Sequence, residues 1–398
     1  MEFFKKLGGK KTWCRAALTT IPIILVLIII AAITTGDSGR NGDNEYEPAF
    51  VYTPTTTEPL PPPLLEDPRH TTRWEEDEPE IVDPRPRSLL TGLPIDEEYL
   101  NRRPIAVVIN NIHVAQPQSG VTSADIIYEV LAEGNITRLV AIFQSYIPEK
   151  IGPVRSARDY FVDFAFNHDA IFVHHGTSPT GRTRINSTQV PALDGMSLEG
   201  SVFWRDRTYP EWHRNTGTRP LEHSSYAGWE RMANHISSRN IRDYIGENPS
   251  YSFAFSAPGD SPQVPAAGIA ERVVVPFSST YVRTFVFDPE TGLYMVEDQS
   301  GPHQDAETME QIAVANVLIQ FTAMQVVDAE GRRNVQTINA AGGHGYLATG
   351  GEYRPVRWVK DSHTAPMRWY FEDDTPLLLT PGATWINVIQ SGTEITFE

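Results

Sequence analysis

The chain has 398 residues, with 33 Lys and Arg against 50 Asp and Glu, a formal net charge of −17, and 40% hydrophobic residues. A body this acidic exerts no general pull on nucleic acid or on an anionic membrane surface, so nucleic acid is excluded as a bulk partner. The single cysteine, Cys14, precedes the first apolar run, which removes disulfide frameworks, thiolate metal clusters and cysteine nucleophiles from everything after it.

Charge is unevenly spread. Residues 1–35 hold five basic groups and one acid, residues 36–87 hold five basic groups and thirteen acids, and the remainder carries −13. Ala16 to Ile33 is an uncharged apolar stretch of eighteen positions. As a helix it spans roughly 27 Å, close to the hydrocarbon thickness of a bilayer. Basic residues flank only its N-terminal side, so the positive-inside rule predicts a cytoplasmic tail over 1–15, a membrane anchor over 16–35, and everything later outside. A cleaved signal peptide ending near Ala31-Ala32 is the alternative, and the length of the run favours the uncleaved anchor. Residues 36–87 contain ten prolines and the acidic cluster Glu75-Glu76-Asp77-Glu78. With little apolar material to offset ordering entropy, this stretch is expected to be a disordered tether, about 160 Å long if fully extended and about 40 Å on average as coil.

Order is expected from residue 88. Ile105 to Ile109, Asp125 to Leu131, Leu139 to Gln144 and Ala170 to His174 read as buried strands, the middle two joined at the turn signal Gly134-Asn135. Tyr160, Phe161, Phe164 and Ala165 follow Ala157 at helical spacing, which predicts a helix capped by Ser156 with Asp159 in the capping-box position. A second helix is expected from about Tyr226 to Ser237. From Val273 onward the chain turns β-rich, and Phe285 to Val296 is a hairpin around Gly292. Further strands are expected over Val314–Phe321, Met324–Val327, Arg354–Val359, Met367–Phe371 and Thr384–Ile389. Gly342-Gly343-His344-Gly345 and Gly350-Gly351 read as tight β-turns rather than a phosphate loop, since no helix follows. The fold class is α+β, with a mixed α/β sheet domain over 88–272 followed by a β-rich domain over 273–398.

Several strings make the chain resemble a known family: Arg103-Pro104-Ile105 through Asn110-Asn111, Gln116-Pro117-Gln118-Ser119-Gly120, Ala124-Asp125 through Glu129, Ile151-Gly152-Pro153-Val154-Arg155-Ser156-Ala157-Arg158, and Asp169-Ala170 through His174. Together they are similar to the YerB-like family over about residues 88–395. The resemblance implies an extracytoplasmic, usually lipid-anchored protein of Gram-positive-type bacteria with a two-part architecture and no established activity. The usual lipobox cysteine after the apolar run is missing, and the predicted membrane helix would take its place.

Arg155 and Arg158 flank a helix start, where two guanidiniums and free N–H groups suit a phosphate or carboxylate. The alternative is pairing with Asp125, Glu129 or Asp163. A second cluster holds Trp204-Arg205-Asp206-Arg207, His213-Arg214 and Glu222-His223. Arg155, Arg158 and Arg205 are the candidate ligand-binding residues, and Asp206, His174 and His223 the candidate acid/base groups. His174-His175 is a poor metal pair because strand neighbours point to opposite faces. His303 and Asp305 could bind a cation, though a solvated loop is the simpler reading. No metal site and no cofactor is implied, and no phosphate loop, zinc-protease helix or EF-hand occurs. Gly195-Met196-Ser197-Leu198-Glu199-Gly200 misses the nucleophile-elbow spacing by one residue. Two functions stand. One is a membrane-anchored cell-envelope protein binding a wall polymer, another anionic ligand or an envelope partner protein. The other is an enzyme acting on an anionic, phosphate-containing envelope glycan or lipid-linked substrate.

Overall fold

The computed structural model describes residues 83–213, 217–246, 253–257 and 264–398. The expected anchor, Cys14 and the expected tether up to residue 82 lie outside the described residues. Among the described residues no helix is long and apolar enough to cross a membrane.

Apolar runs set the strands. In chain order they are β1 (Ile105–Asn110), β2 (Ile126–Glu133), β3 (Ile136–Phe143), β4 (Ile171–His174), β5 (Ala192–Asp194), β6 (Arg272–Ser278), β7 (Tyr281–Asp288), β8 (Leu293–Asp298), β9 (Asn316–Thr322), β10 (Asn339–Thr349), β11 (Glu352–Lys360), β12 (Arg368–Phe371) and β13 (Thr384–Gln390). Helices are α1 (Asp159–Phe166), α2 (Pro179–Thr188) and α3 (Trp229–Ser238). Among the described residues one 11-stranded sheet runs β12-β11-β10-β9-β13-β2-β3-β1-β4-β5, with Gly268–Ile269 paired to β11 off this path. Parallel and antiparallel pairs mix within it, and β13 lies parallel to both β9 and β2. The N-terminal part is therefore mixed α/β as expected. A second, all-antiparallel sheet is built around β6, β7 and β8. Strands from both sides of residue 272 thus share one sheet.

The large sheet is covered on both faces. β2 is buried along seven of its eight residues, which is why it reads as a continuous apolar run rather than an alternating one. Ile127 and Leu131 face the antiparallel sheet and α3, which adds Met232 and Ile236. Ile126, Tyr128 and Val130 face α1, whose Tyr160, Phe161 and Phe164 are fully buried there. Each such aromatic contributes about 1.5–3 kcal/mol by leaving water, and the Tyr128 and Phe164 rings stack at 4.5 Å.

Three local expectations are corrected. The first helix begins at Asp159 with Arg158 as its N-cap residue and no side-chain capping bond. Ser156 Oγ instead donates to His175 O at 3.0 Å, because the chain stays extended through Ala157, whose N–H donates to Gly176 O. Gly342 to Gly345 are not a tight turn but part of the long strand β10. Their small size is needed there: a Cβ on Gly343 would lie 2.3 Å from Trp358 Cε2, and one on Gly345 would lie 2.1 Å from Ile319 O. Gly350-Gly351 do form the turn into β11, with φ of 61° and 77°. His303 and Asp305 are neither solvated nor arranged for a cation. Both are buried, His303 between Gln118 and Arg283, and Asp305 accepting from Thr122.

Candidate functional site

The Gly-Pro-Val-Arg-Ser-Ala segment runs extended across the ends of β1 and β4. Arg155 N donates to Val108 O at 2.8 Å, and His175 N donates to Arg155 O at 3.0 Å, so the Arg155 backbone is pinned on both sides. Arg205 closes the short strand Phe203–Arg205, in register with Ser225 of the strand Ser225–Ala227. Between these supports lies a cleft of about 330 Å³ lined by Arg155, Arg205, Ser156, His175, Met196 and Leu221, among others.

The two guanidiniums are held differently. Arg205 gives Nε to Glu199 Oε1 at 2.9 Å, one terminal nitrogen to Leu221 O at 2.8 Å and the other to His175 Nε2 at 2.9 Å. Arg155 gives one terminal nitrogen to Glu222 O at 2.9 Å, and among the described residues no carboxylate lies within 4.0 Å of it. Burial lowers the pKa of Arg155, partly opposed by Glu133 and Glu222. A half-desolvated cation without a carboxylate of its own is receptive to an anion.

His175, not singled out as a site residue from the sequence, completes the cleft. Its Nε2 accepts from Arg205, so the neutral ring carries its proton on Nδ1 and donates it to Ser225 Oγ at 2.7 Å. Burial and then Arg205 hold its pKa below the usual histidine value. In this arrangement His175 cannot serve as a base for Ser225. The period of two along β4 was the available signal: His174 and His175 must diverge, and one of them had to face the cleft.

The other candidates disperse. His174 turns to the α1 side, where it is 2% exposed beside Phe172 and donates Nδ1–H to Gly176 O at 2.8 Å. Burial depresses its pKa, against the pull of Asp194. Arg158 is 8% exposed and donates to Glu133 Oε2 at 2.7 Å, a carboxylate that Arg138 also binds. Asp206 points away from the cleft, accepting from Thr208 N at 2.9 Å and pairing with Lys150 at 3.0 Å. Burial raises its pKa, but the Thr208 and Lys150 contacts bring it net below the usual value. His223 accepts from Asn110 Nδ2 at 2.6 Å, and burial followed by Arg155 lowers its pKa. Among the described residues no group of three or more His, Cys, Asp or Glu is placed to hold a metal.

A larger polar network lies elsewhere. Glu129 of β2 and Arg283 of β7, both fully buried, pair at 2.9 Å across the two sheets. Asn111, Thr137 and Trp385 donate to Glu129, while Arg283 donates to Tyr281 OH and His303 Nδ1. His303 Nε2–H then donates to Gln118 Oε1 at 2.7 Å. Asn111, Tyr281 and His303 also floor surface cavities along the junction of the two parts.

Residues 90–242 match the model described as "Protein of unknown function (DUF3048) N-terminal domain", and residues 273–386 match its C-terminal domain. The Bacillus subtilis (strain 168) protein named "Putative lipoprotein YerB" is 33% identical over 305 residues, 75% of this chain and 85% of that protein. The chain belongs to the YerB-like family. A crystal structure of YerB from Bacillus subtilis superposes with a TM-score of 0.65 at 31% identity, over 78% of this chain and 100% of that one. The two matched segments of the YerB-like chain meet within the shared sheet, where β13 pairs with β2.

Proposed function

We propose that this chain is a membrane-attached, extracytoplasmic envelope protein whose folded body holds an anionic wall component in the Arg155–Arg205 cleft. One observation carries the reading. Two guanidiniums share a cleft, and one of them has no carboxylate partner among the described residues of a chain of net charge −17. His174 and Asp206 turn away from the cleft, and His175, the imidazole that lines it, has both ring nitrogens engaged by Arg205 and Ser225, which supports binding over catalysis. Attachment through residues 16–35 draws on the apolar run and on the name of the Bacillus subtilis relative.

Calorimetric titration with poly(glycerol phosphate) tests the cleft. Binding should weaken with rising salt and fall roughly tenfold or more in Arg155→Ala and Arg205→Ala. Binding unchanged in both variants, or absent in the parent chain, overturns the reading. Membrane attachment is checked by fractionation with mass spectrometry of the mature protein, and an N-terminus beyond residue 30 would refute the uncleaved anchor.

A further inference from the structure

The cavities along the junction of the two parts have a chemistry opposite to that of the arginine cleft. One, of about 270 Å³, is bounded by Gln116, Trp212, Asp298 and Gln304. The other, of about 320 Å³, is bounded by Asn111, Asn135, Tyr281 and Gln299. They share His113, Gln116, Asp298 and Ser300, so they form one continuous groove. Among the described residues no lysine or arginine lines either part, and Asp298 is the one carboxylate that does.

The walls are fixed by contacts that cross the junction. Tyr209 OH donates to Val114 O at 2.8 Å, and Ala306 N donates to Gln118 O at 2.7 Å. Trp212 Nε1 donates to Ala306 O at 3.4 Å, which anchors the indole while leaving the residue 37% exposed. Asp298 Oδ1 accepts from Ser300 N at 2.7 Å, and among the described residues no side chain donates to Oδ2. Beneath, the Glu129–Arg283 network holds Asn111, Tyr281 and His303 in place. The groove therefore offers a half-exposed indole face, a carboxylate oxygen with spare acceptor capacity, and a series of amides and hydroxyls on a rigid floor.

We infer that this groove binds a short neutral glycan carrying acetamido groups. Stacking on an indole suits the apolar face of a pyranose ring, as aromatic side chains join an apolar body to a polar edge. A carboxylate oxygen accepts from sugar hydroxyls, and side-chain amides can match an acetamido group in both donor and acceptor. A carboxylate in the middle of a groove with no lysine or arginine among its described residues disfavours anionic ligands. Clefts at the junction of two parts are common places for small-molecule sites. The site is separate from the anion cleft, so each can stand without the other.

Calorimetric titration of the full chain with chitotetraose tests it, with cellotetraose and tetralysine as comparisons. Chitotetraose should bind, cellotetraose should bind more weakly for want of acetamido groups, and tetralysine should be silent. Trp212→Ala and the isosteric Asp298→Asn should each weaken chitotetraose binding roughly tenfold, with melting temperatures unchanged. Arg155→Ala should leave chitotetraose binding as it is while weakening that of poly(glycerol phosphate). No binding of chitotetraose at millimolar concentration overturns the proposal, as does binding insensitive to both groove variants. Equal binding of cellotetraose overturns the acetamido preference, and capture of tetralysine alone makes the groove a site for basic peptides instead.

Discussion

Arg283 and Arg155 are both drawn out of bulk water, and they differ in what meets them there. Arg283 is fully buried and finds Glu129, Tyr281 and His303 already in place. Arg155 is partly buried, finds a backbone carbonyl, and faces an open cleft. An arginine whose counter-charge is supplied by its own chain is spent on holding the fold; one without such a partner is left for something outside. Arg158 belongs with Arg283 because Glu133 satisfies it.

The comparison is broken most severely at Arg283. Arg283→Met should strand Glu129 in the core and cost about 3–5 kcal/mol in denaturant melts. The double change Glu129→Leu with Arg283→Met should recover most of that loss, because two well-packed apolar side chains leave no charge uncompensated. A double variant as unstable as the single one would show that the network contributes more than the pair.

Acid is the next largest lever. His168 is held at a pKa of about 3 by burial, and His303 well below the usual value by burial and then Arg283. The unfolded chain protonates these rings near pH 6.5 and the folded chain does not, so stability is present above that pH and lost on acidification. Each ring should remove about 1.4 kcal/mol per pH unit from 6.5 downward, in the case of His168 until about pH 3. Melts across that range in His168→Gln should show a shallower slope than the parent; an identical slope would mean the ring is not held neutral.

Smaller effects separate the remaining arginines. Arg158→Ala should cost about 1.5–3 kcal/mol, the range for a charge-assisted hydrogen bond, and should leave poly(glycerol phosphate) binding intact. Arg155→Ala should change stability by less than about 0.5 kcal/mol while weakening that binding. Melting curves and titrations on the same two variants make the contrast, and an exchange of outcomes would reverse the assignments.

Much of the fold was legible because its strands are apolar runs bounded by turns: β1 to β4, the β7–β8 hairpin and β13 were all visible. Helix α2 was not, since only Gly181 among its ten residues is buried and no apolar stripe betrays it. Its one signal was Ser178 before Pro179, and Ser178 Oγ does accept from Gly181 N. The β10 glycines mislead because glycine marks turns more often than the close passage of an indole. At the site, Arg155 and Arg205 could be proposed from local clustering. Local sequence offers Glu129 only the nearby arginines, while its true partner is 154 positions away. The groove residues are scattered from Asn111 to Gln304, and only the paired sheets bring them together.

The placement of β13 has a consequence for how the molecule comes into being. It fills the gap between β9 and β2, so the first 380 residues cannot close their own sheet. A nascent chain that has delivered the whole N-terminal match still presents β2 with one edge open, an apolar template for mispairing. Assembly must wait for residues 384–390 to arrive from the far end of the sequence, a late long-range step of the kind that slows folding. Truncations before Thr384 should therefore aggregate rather than yield a smaller folded unit, and neither matched segment should be separable as a stand-alone module.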